Sequence, residues 1–228
     1  MFFKKYLKKR NEQEKDYLSK KSHNQALELA NTWIDEKNTE ESEELLDYLI
    51  NSLLSDVCSS SIVHPIITFH SEPIHSPFPE SYIDDYGNRN DISSEETIDV
   101  ELDKAMVYVR PWNTERTRSS LMLLKSSDFK YIKENHFSIF YKDINLCFVY
   151  NGNHSINAGR YYKKGTITSK VYHLEKLYPH CYTDGVYWYN SHSKEILHRV
   201  DDFRLATVYS IAQLKYNKFI KQHYNTNI

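Results

Sequence analysis

Residues 148–160 read Phe148-Val149-Tyr150-Asn151-Gly152-Asn153-His154-Ser155-Ile156-Asn157-Ala158-Gly159-Arg160. An apolar, β-prone run ends in a polar turn holding one glycine, and a helix-compatible run follows. That order predicts a strand, a tight turn and a helix. The first N–H groups of such a helix have no partner within it and carry partial positive charge. An anion binds readily at such a place. Gly152 lets backbone approach closely, and His154 and Ser155 stand where side chains add donors. Many strand–glycine–helix joints bind nothing, so the spacing alone is equally compatible with a plain structural turn capped by Asn or Ser.

Upstream of this stretch, Phe137–Tyr141 and Leu146–Tyr150 are β-rich runs with the spacing of a hairpin across Lys142-Asp143-Ile144-Asn145. Downstream, residues 155–164 have helical composition, with Gly165 as the stop. Ile167–Leu174 and Val186–Tyr189 are further β-rich runs, and Leu205–Gln222 has the apolar spacing of a final helix. Before the hairpin come a short strand at Met106–Val109, a turn at Pro111-Trp112-Asn113, a helix from Glu115 to Lys125 and a short helix at Phe129–Asn135. Residues 62–98 hold Pro65, Pro73, Pro77 and Pro79, which predicts an irregular acidic connection with one strand at Ile66–Phe69. His64, His70 and His75 on it read as loop histidines without regular ligand geometry.

At the N-terminal end, Leu27, Ala30 and Ile34 predict a helix over 23–37. Leu45, Leu46, Leu49, Ile50, Leu53, Leu54 and Val57 predict a second over 40–57. The acidic run at Thr39–Glu43 starts that helix, because carboxylates favour the positive end of the dipole. Ser59-Ser60-Ser61 ends it. Residues 1–21 read as a frayed helix or a tail. The expected organisation is an N-terminal helical region (1–61), an irregular connection (62–99) and an α/β domain with a C-terminal helix (100–228), an α+β fold.

The net charge of −2 conceals a polarity. Residues 1–103 hold 10 Lys+Arg against 22 Asp+Glu, and residues 104–228 hold 19 against 9. Fourteen of the 19 tyrosines and seven of the 11 histidines lie in the second part. Cations for phosphates and rings for bases are what a nucleotide or nucleic-acid site needs. Mutual neutralisation of the two halves across an internal interface explains the same asymmetry equally well. Three distant cysteines, Cys58, Cys147 and Cys181, argue for a reducing compartment, hence a cytoplasmic location, and against a disulfide framework. Cys147, within an apolar run, reads as an inert buried thiol. The absence of a CxxC pair argues against a structural zinc site, and the sequence marks no metal ligands. No apolar run approaches the roughly 20 residues that span a bilayer, so no membrane partner is expected.

The box Asn151-Gly152-Asn153-His154-Ser155, with Ala158 in the following helix, resembles the Asp-Gly-Asn/Gln-His-Arg box of the ParB/sulfiredoxin-like fold. There too a strand leads through a glycine turn into a helix. Upstream, Val107-Tyr108-Val109-Arg110-Pro111-Trp112-Asn113-Thr114-Glu115-Arg116 is similar to that family's first strand and its Pro-x-Asn-x-x-Arg loop. The resemblance covers roughly residues 100–175. It implies a mixed sheet with helices, preceded here by the N-terminal helical pair and followed by the long C-terminal helix. It implies recognition of phosphate on a nucleotide or nucleic acid, with nuclease or NTPase activity in some relatives, in a bacterial, phage, mobile-element or defence context. Ligands of that family include nucleoside triphosphates with Mg. By resemblance His154 would stand nearest the chemistry, and Arg110, Asn113, Arg116, Asn151, Gly152, Asn153, Ser155 and Arg160 would hold phosphate. Ser155 departs from the pattern, because the family's arginine, a main phosphate contact, stands at that position. Arg160, Arg110 or Arg116 would substitute. Sulfiredoxin chemistry needs a cysteine in the turn, where Asn153 stands instead. The departure also admits a different reading: a non-catalytic interaction module on a degenerate scaffold, with the acidic N-terminal helices as its partner surface.

Overall fold

A computed structural model describes residues 2–68 and 75–220 of the chain. No glycine or proline occurs before Pro65, and the N-terminal part is two long helices, α1 (Phe2–Glu36) and α2 (Thr39–Thr68). They are separated at Asn38, whose side-chain oxygen accepts from the Glu41 N–H at 2.9 Å, an N-cap. Both helices exceed the expected spans. Residues 1–21 are dense in strong helix formers, which offset their lack of apolar periodicity. The serines at 59–61 do not end α2, because their hydroxyls find partners along it. Ser60 Oγ donates to the Asp56 carbonyl, and Ser61 Oγ shares its proton between the carbonyls of Cys58 and Val109. The helix even runs through Pro65. The strand expected at Ile66–Phe69 is therefore helix up to Thr68, and Phe69 and His70 lie outside the described residues.

The connection expected over 62–99 is not irregular throughout. It holds a small antiparallel hairpin, β1 (Ser81–Ile83) with β2 (Arg89–Asp91), and most of β3 (Ser93–Glu101). β3 joins a five-stranded mixed sheet with β4 (Met106–Tyr108), β5 (Phe137–Tyr141), β6 (Leu146–Asn151) and β7 (Thr166–Tyr172), in the order β3-β7-β5-β6-β4. Pairs β5–β7 and β4–β6 are parallel, and β3–β7 and β5–β6 are antiparallel. Between β4 and β5 lies α3 (Thr114–Ser126), and between β6 and β7 lies α4 (Asn153–Tyr162). Phe129–Asn135, expected to be helical, is a loop with a turn. A three-stranded antiparallel sheet of β8 (Cys181–Thr183), β9 (Tyr187–Asn190) and β10 (Ile196–Arg199) follows, then α5 (Phe203–Lys215), extended by a π-helical turn over Tyr216–Ile220.

The alternation of side chains across the large sheet builds two cores. Tyr108, Ile139, Tyr141, Leu146 and Phe148 face one way, into a core shared with Leu46, Ile50, Leu54 and Val57 of α2 and Leu205, Val208 and Ile211 of α5. Val107, Phe140, Cys147, Val149 and Ile167 face the other way, against Ile156 of α4. The chain is thus mixed α+β, layered as helices, sheet, helices. The apolar stripe of α2 is spent inside it. No helix among the described residues is long and apolar enough to cross a membrane.

Candidate functional site

Parallel pairing of β4 with β6 puts the ends of the two strands side by side, so the segments after them, 109–116 and 151–155, meet. Asn153 is the joint. It is buried, and its side-chain oxygen accepts from the Arg110 N–H at 2.8 Å. Asn113 caps α3 by accepting from the Arg116 N–H at 2.9 Å. Trp112 meets the His154 ring edge to face, with centroids 5.3 Å apart, and the Arg116 guanidinium lies 5.2 Å from the Trp112 ring centre.

Gly152 turns the chain from β6 into α4 with φ +81°, a left-handed conformation that L side chains adopt at a cost. A Cβ there would also lie 2.5 Å from His136 Cδ2. His136 holds the turn from below. Its Nδ1 accepts from the Ile132 N–H at 3.0 Å, so Nε2 carries the proton and donates to Ser155 Oγ at 2.9 Å. Ser155 in turn donates to the Gly152 carbonyl at 3.1 Å. The Ser155 hydroxyl is thus a strut, committed on both sides.

His154 has the opposite tautomer. Thr117 Oγ1 donates its only proton to the Asn113 carbonyl at 2.8 Å. It must therefore accept from His154 Nδ1–H, 3.1 Å away. The other nitrogen, Nε2, is then a bare lone pair, and it is buried without a partner. Burial, and next the nearby Arg116 charge, hold the His154 pKa below the ordinary histidine value, which keeps the ring neutral. Beside it a groove of about 380 Å³ is lined by Glu115, Arg116, Ser119, Ser120, Asn135, Asn151, Gly152, His154 and Ser155. The first-turn amides of α4 have no internal acceptors, and Gly152, His154 and Ser155 at that end of the helix line the groove.

Residues 4–222 match the family described as "Family of unknown function (DUF6710)". The chain belongs to that family. No curated protein and no solved structure matches it.

For this DUF6710 member, the groove brings together Arg116, Asn151, Gly152, His154 and Ser155 of the residues singled out by sequence. Four others lie elsewhere. Asn113 and Asn153 are engaged in holding the loops. The Arg110 guanidinium donates to Tyr108 Oη at 2.6 Å and lines a separate cavity with Ser60, His64, Asp202 and Arg204. Arg160 sits in the last turn of α4, roughly 10 Å along the axis from the glycine turn. Its charge acts on Cys58 of α2. Sequence reading missed Thr117, which fixes the His154 tautomer, His136, which bonds to Ser155, and Glu115, Ser119 and Ser120 on the groove wall. Ser119 and Ser120 stand three and four residues after Arg116, and Ser119 four after Glu115, the spacing of neighbours on a helix, a signal present in the sequence. His136 carries no such signal, because only the tertiary fold brings it under the turn. Cys147 is buried, which pushes its thiol up to about 11 and leaves it unreactive.

Proposed function

We propose that this DUF6710 protein recognises a phosphate of a nucleotide or nucleic acid at the β6–α4 turn, on a scaffold of the ParB/sulfiredoxin-like type. The observation that carries the reading is the buried, unpartnered Nε2 of His154 at a groove that also presents Arg116 and the open end of α4. A buried polar atom without a partner costs free energy, and such atoms concentrate where a ligand completes the bonding. Convergence of the two motif segments through Asn153 also supports the reading.

The chemistry follows from the ring state. Nε2 is covered in the free protein, so a ligand reaches it once the side chains over it part; a phosphate oxygen meeting its lone pair is then repelled unless the ring gains a proton. Binding therefore couples to proton uptake, and His154 then donates a charge-assisted bond alongside Arg116. Toward a water molecule the same lone pair is an acceptor, the arrangement a general base needs for hydrolysis of a phosphoester. Glu115 on the rim offers one carboxylate to Mg²⁺ arriving with a triphosphate, an ion held by one or two carboxylates plus the phosphates.

The test is calorimetric titration of wild type, His154→Ala, Arg116→Ala and Ser155→Arg with CTP, ATP and a short duplex, at two salt concentrations and two pH values. Each alanine is expected to weaken binding roughly tenfold to a hundredfold, the size of a charge-assisted contact. Ser155→Arg places a fork of donors at the first turn but removes the strut between His136 and the Gly152 carbonyl; it strengthens binding provided that circular dichroism shows the fold unchanged. Wild-type binding weakens with salt. It also weakens as pH rises through the imidazole range, because the bound state holds the extra proton. No binding by any form, including Ser155→Arg, would leave the protein-interaction reading in its place.

A further inference from the structure

We propose that Asp85, His180 and His192 form a binding site for a divalent transition-metal ion of the zinc class, at the junction of the β1–β2 and β8–β9 hairpins. It lies apart from the groove and is independent of the phosphate reading.

Each side chain is delivered by a fixed piece of backbone. Asp85 stands in the β1–β2 turn, where its neighbour Asp84 is fully engaged. Asp84 Oδ1 accepts from the N–H groups of Tyr86 and Asn88, and its Oδ2 from the amides of Asn88 and Asn90. His180 and His192 bracket the β8–β9 ladder, which opens with the pair Cys181↔Asn190. The Ser191 N–H donates to the His180 carbonyl at 2.8 Å, and the His192 N–H to the Asn190 side chain at 2.8 Å. Tyr82 of β1 stacks flat on the His180 ring, with centroids 4.2 Å apart and planes 4° from parallel. That contact joins the two hairpins.

The three ligand atoms form a triangle. His180 Nδ1 lies 3.1 Å from His192 Nε2, which lies 2.8 Å from Asp85 Oδ1, itself 4.0 Å from His180 Nδ1. Two of these separations lie near the roughly 3.3 Å between neighbouring ligands of a tetrahedral zinc with bonds of about 2.0 Å; the third, 4.0 Å, ends on the exposed Asp85 carboxylate, and a shift of that side chain by less than about 1 Å completes the triangle. Hydrogen bonding serves the trio poorly. His192 Nε2 has a single bonding direction in either protonation state, yet a carboxylate and an imidazole nitrogen both press upon it. A cation at the centre accepts all three lone pairs together. Two imidazoles and a carboxylate suit zinc and its neighbours, whereas Mg²⁺ and Ca²⁺ take oxygen shells. Three protein ligands leave one position for water. The side chains of Asp85 and His192 are 67% and 41% exposed, so an ion can enter. The consequence is mechanical: a two-stranded hairpin is marginal in water, and the ion would clamp β1–β2 to the body of the protein.

The full-length chain, stripped with a chelator, is titrated with Co²⁺ while its visible absorption is followed, then with Zn²⁺ by calorimetry. One Co²⁺ per chain with tetrahedral bands, displaced by Zn²⁺, is expected. His192→Ala and Asp85→Asn should each weaken binding by roughly tenfold or more, with unchanged far-ultraviolet circular dichroism because both positions are exposed. His198→Ala, on β10, should bind as wild type does. A wild-type chain that takes up neither ion stoichiometrically at micromolar concentration would overturn the site, leaving a hydrogen-bonded trio. Binding that survives both ligand substitutions would overturn it equally, by placing the ion elsewhere.

Discussion

His154 and His136 are both neutral imidazoles in the same turn, yet they hold opposite tautomers, and their neighbours dictate which. A backbone N–H occupies His136 Nδ1 and forces its proton outward, onto Ser155. A hydroxyl already donating elsewhere draws the His154 proton inward and leaves Nε2 bare. The motif marks His154, Gly152 and Arg116 in the sequence. What those residues do is set by Thr117 and His136, which no local pattern singles out. Gly152 is where the conformation and the close approach of His136 act together. Gly152→Ala should cost about 1–2 kcal/mol for the left-handed backbone alone and more for the displaced His136 ring. Urea unfolding measures the sum. A change within 0.5 kcal/mol, roughly that of an ordinary surface substitution, would mean that the turn has another conformation.

Among the elements, the β5–β6–α4 unit was legible because apolar runs, turn and helix follow one another without competing signals. β3 was not, because Glu95, Glu96, Asp99 and Glu101 lie on a strand whose outward positions are exposed, and acidic composition hid its pairing with β7. The length of α2 was obscured by serines that bond back along their own helix. α1 docks through a feature that sequence could not reveal. His23 is buried against α5, with Nδ1 3.0 Å from Thr207 Oγ1. Burial lowers its pKa to about 4, with Asp184 opposing and Lys20 assisting. The unfolded chain takes up a proton near 6.5 and the folded chain does not. The stability this site provides is therefore complete above pH 6.5 and is lost as pH falls toward 4, a loss on the order of 3 kcal/mol. Asp143, raised to about 7 chiefly by burial, titrates in the opposite sense across that whole window. The informative quantity is accordingly the difference between wild type and His23→Gln. Denaturation at several pH values should show the variant losing less stability from pH 6.5 to 4. Parallel profiles would refute the assignment.

For the molecule as a whole, the charge polarity of the sequence has a partly internal explanation. Asp16 pairs with Arg199, Asp47 with Lys215 and Asp56 with Arg204, each an acid of the first half with a base of the second, while Lys20 with Asp184 runs the other way. Such exposed pairs contribute little stability individually, but they use acidic side chains that a partner surface on the N-terminal helices would need. Arg116 is engaged differently, lying against Trp112 at the groove. The central claim is that the β6–α4 turn is where an anionic ligand lands. The most direct measurement is a ¹H–¹⁵N chemical-shift titration of the full chain with CTP, ATP and a short duplex, following the backbone amides and the His154 ring. The account predicts that the amides of Asn153, His154 and Ser155 shift most and that the His154 pKa rises on saturation. Shifts confined to the cavity around Arg110 and Arg204, or a His154 pKa that stays where it is in the free protein, would contradict it.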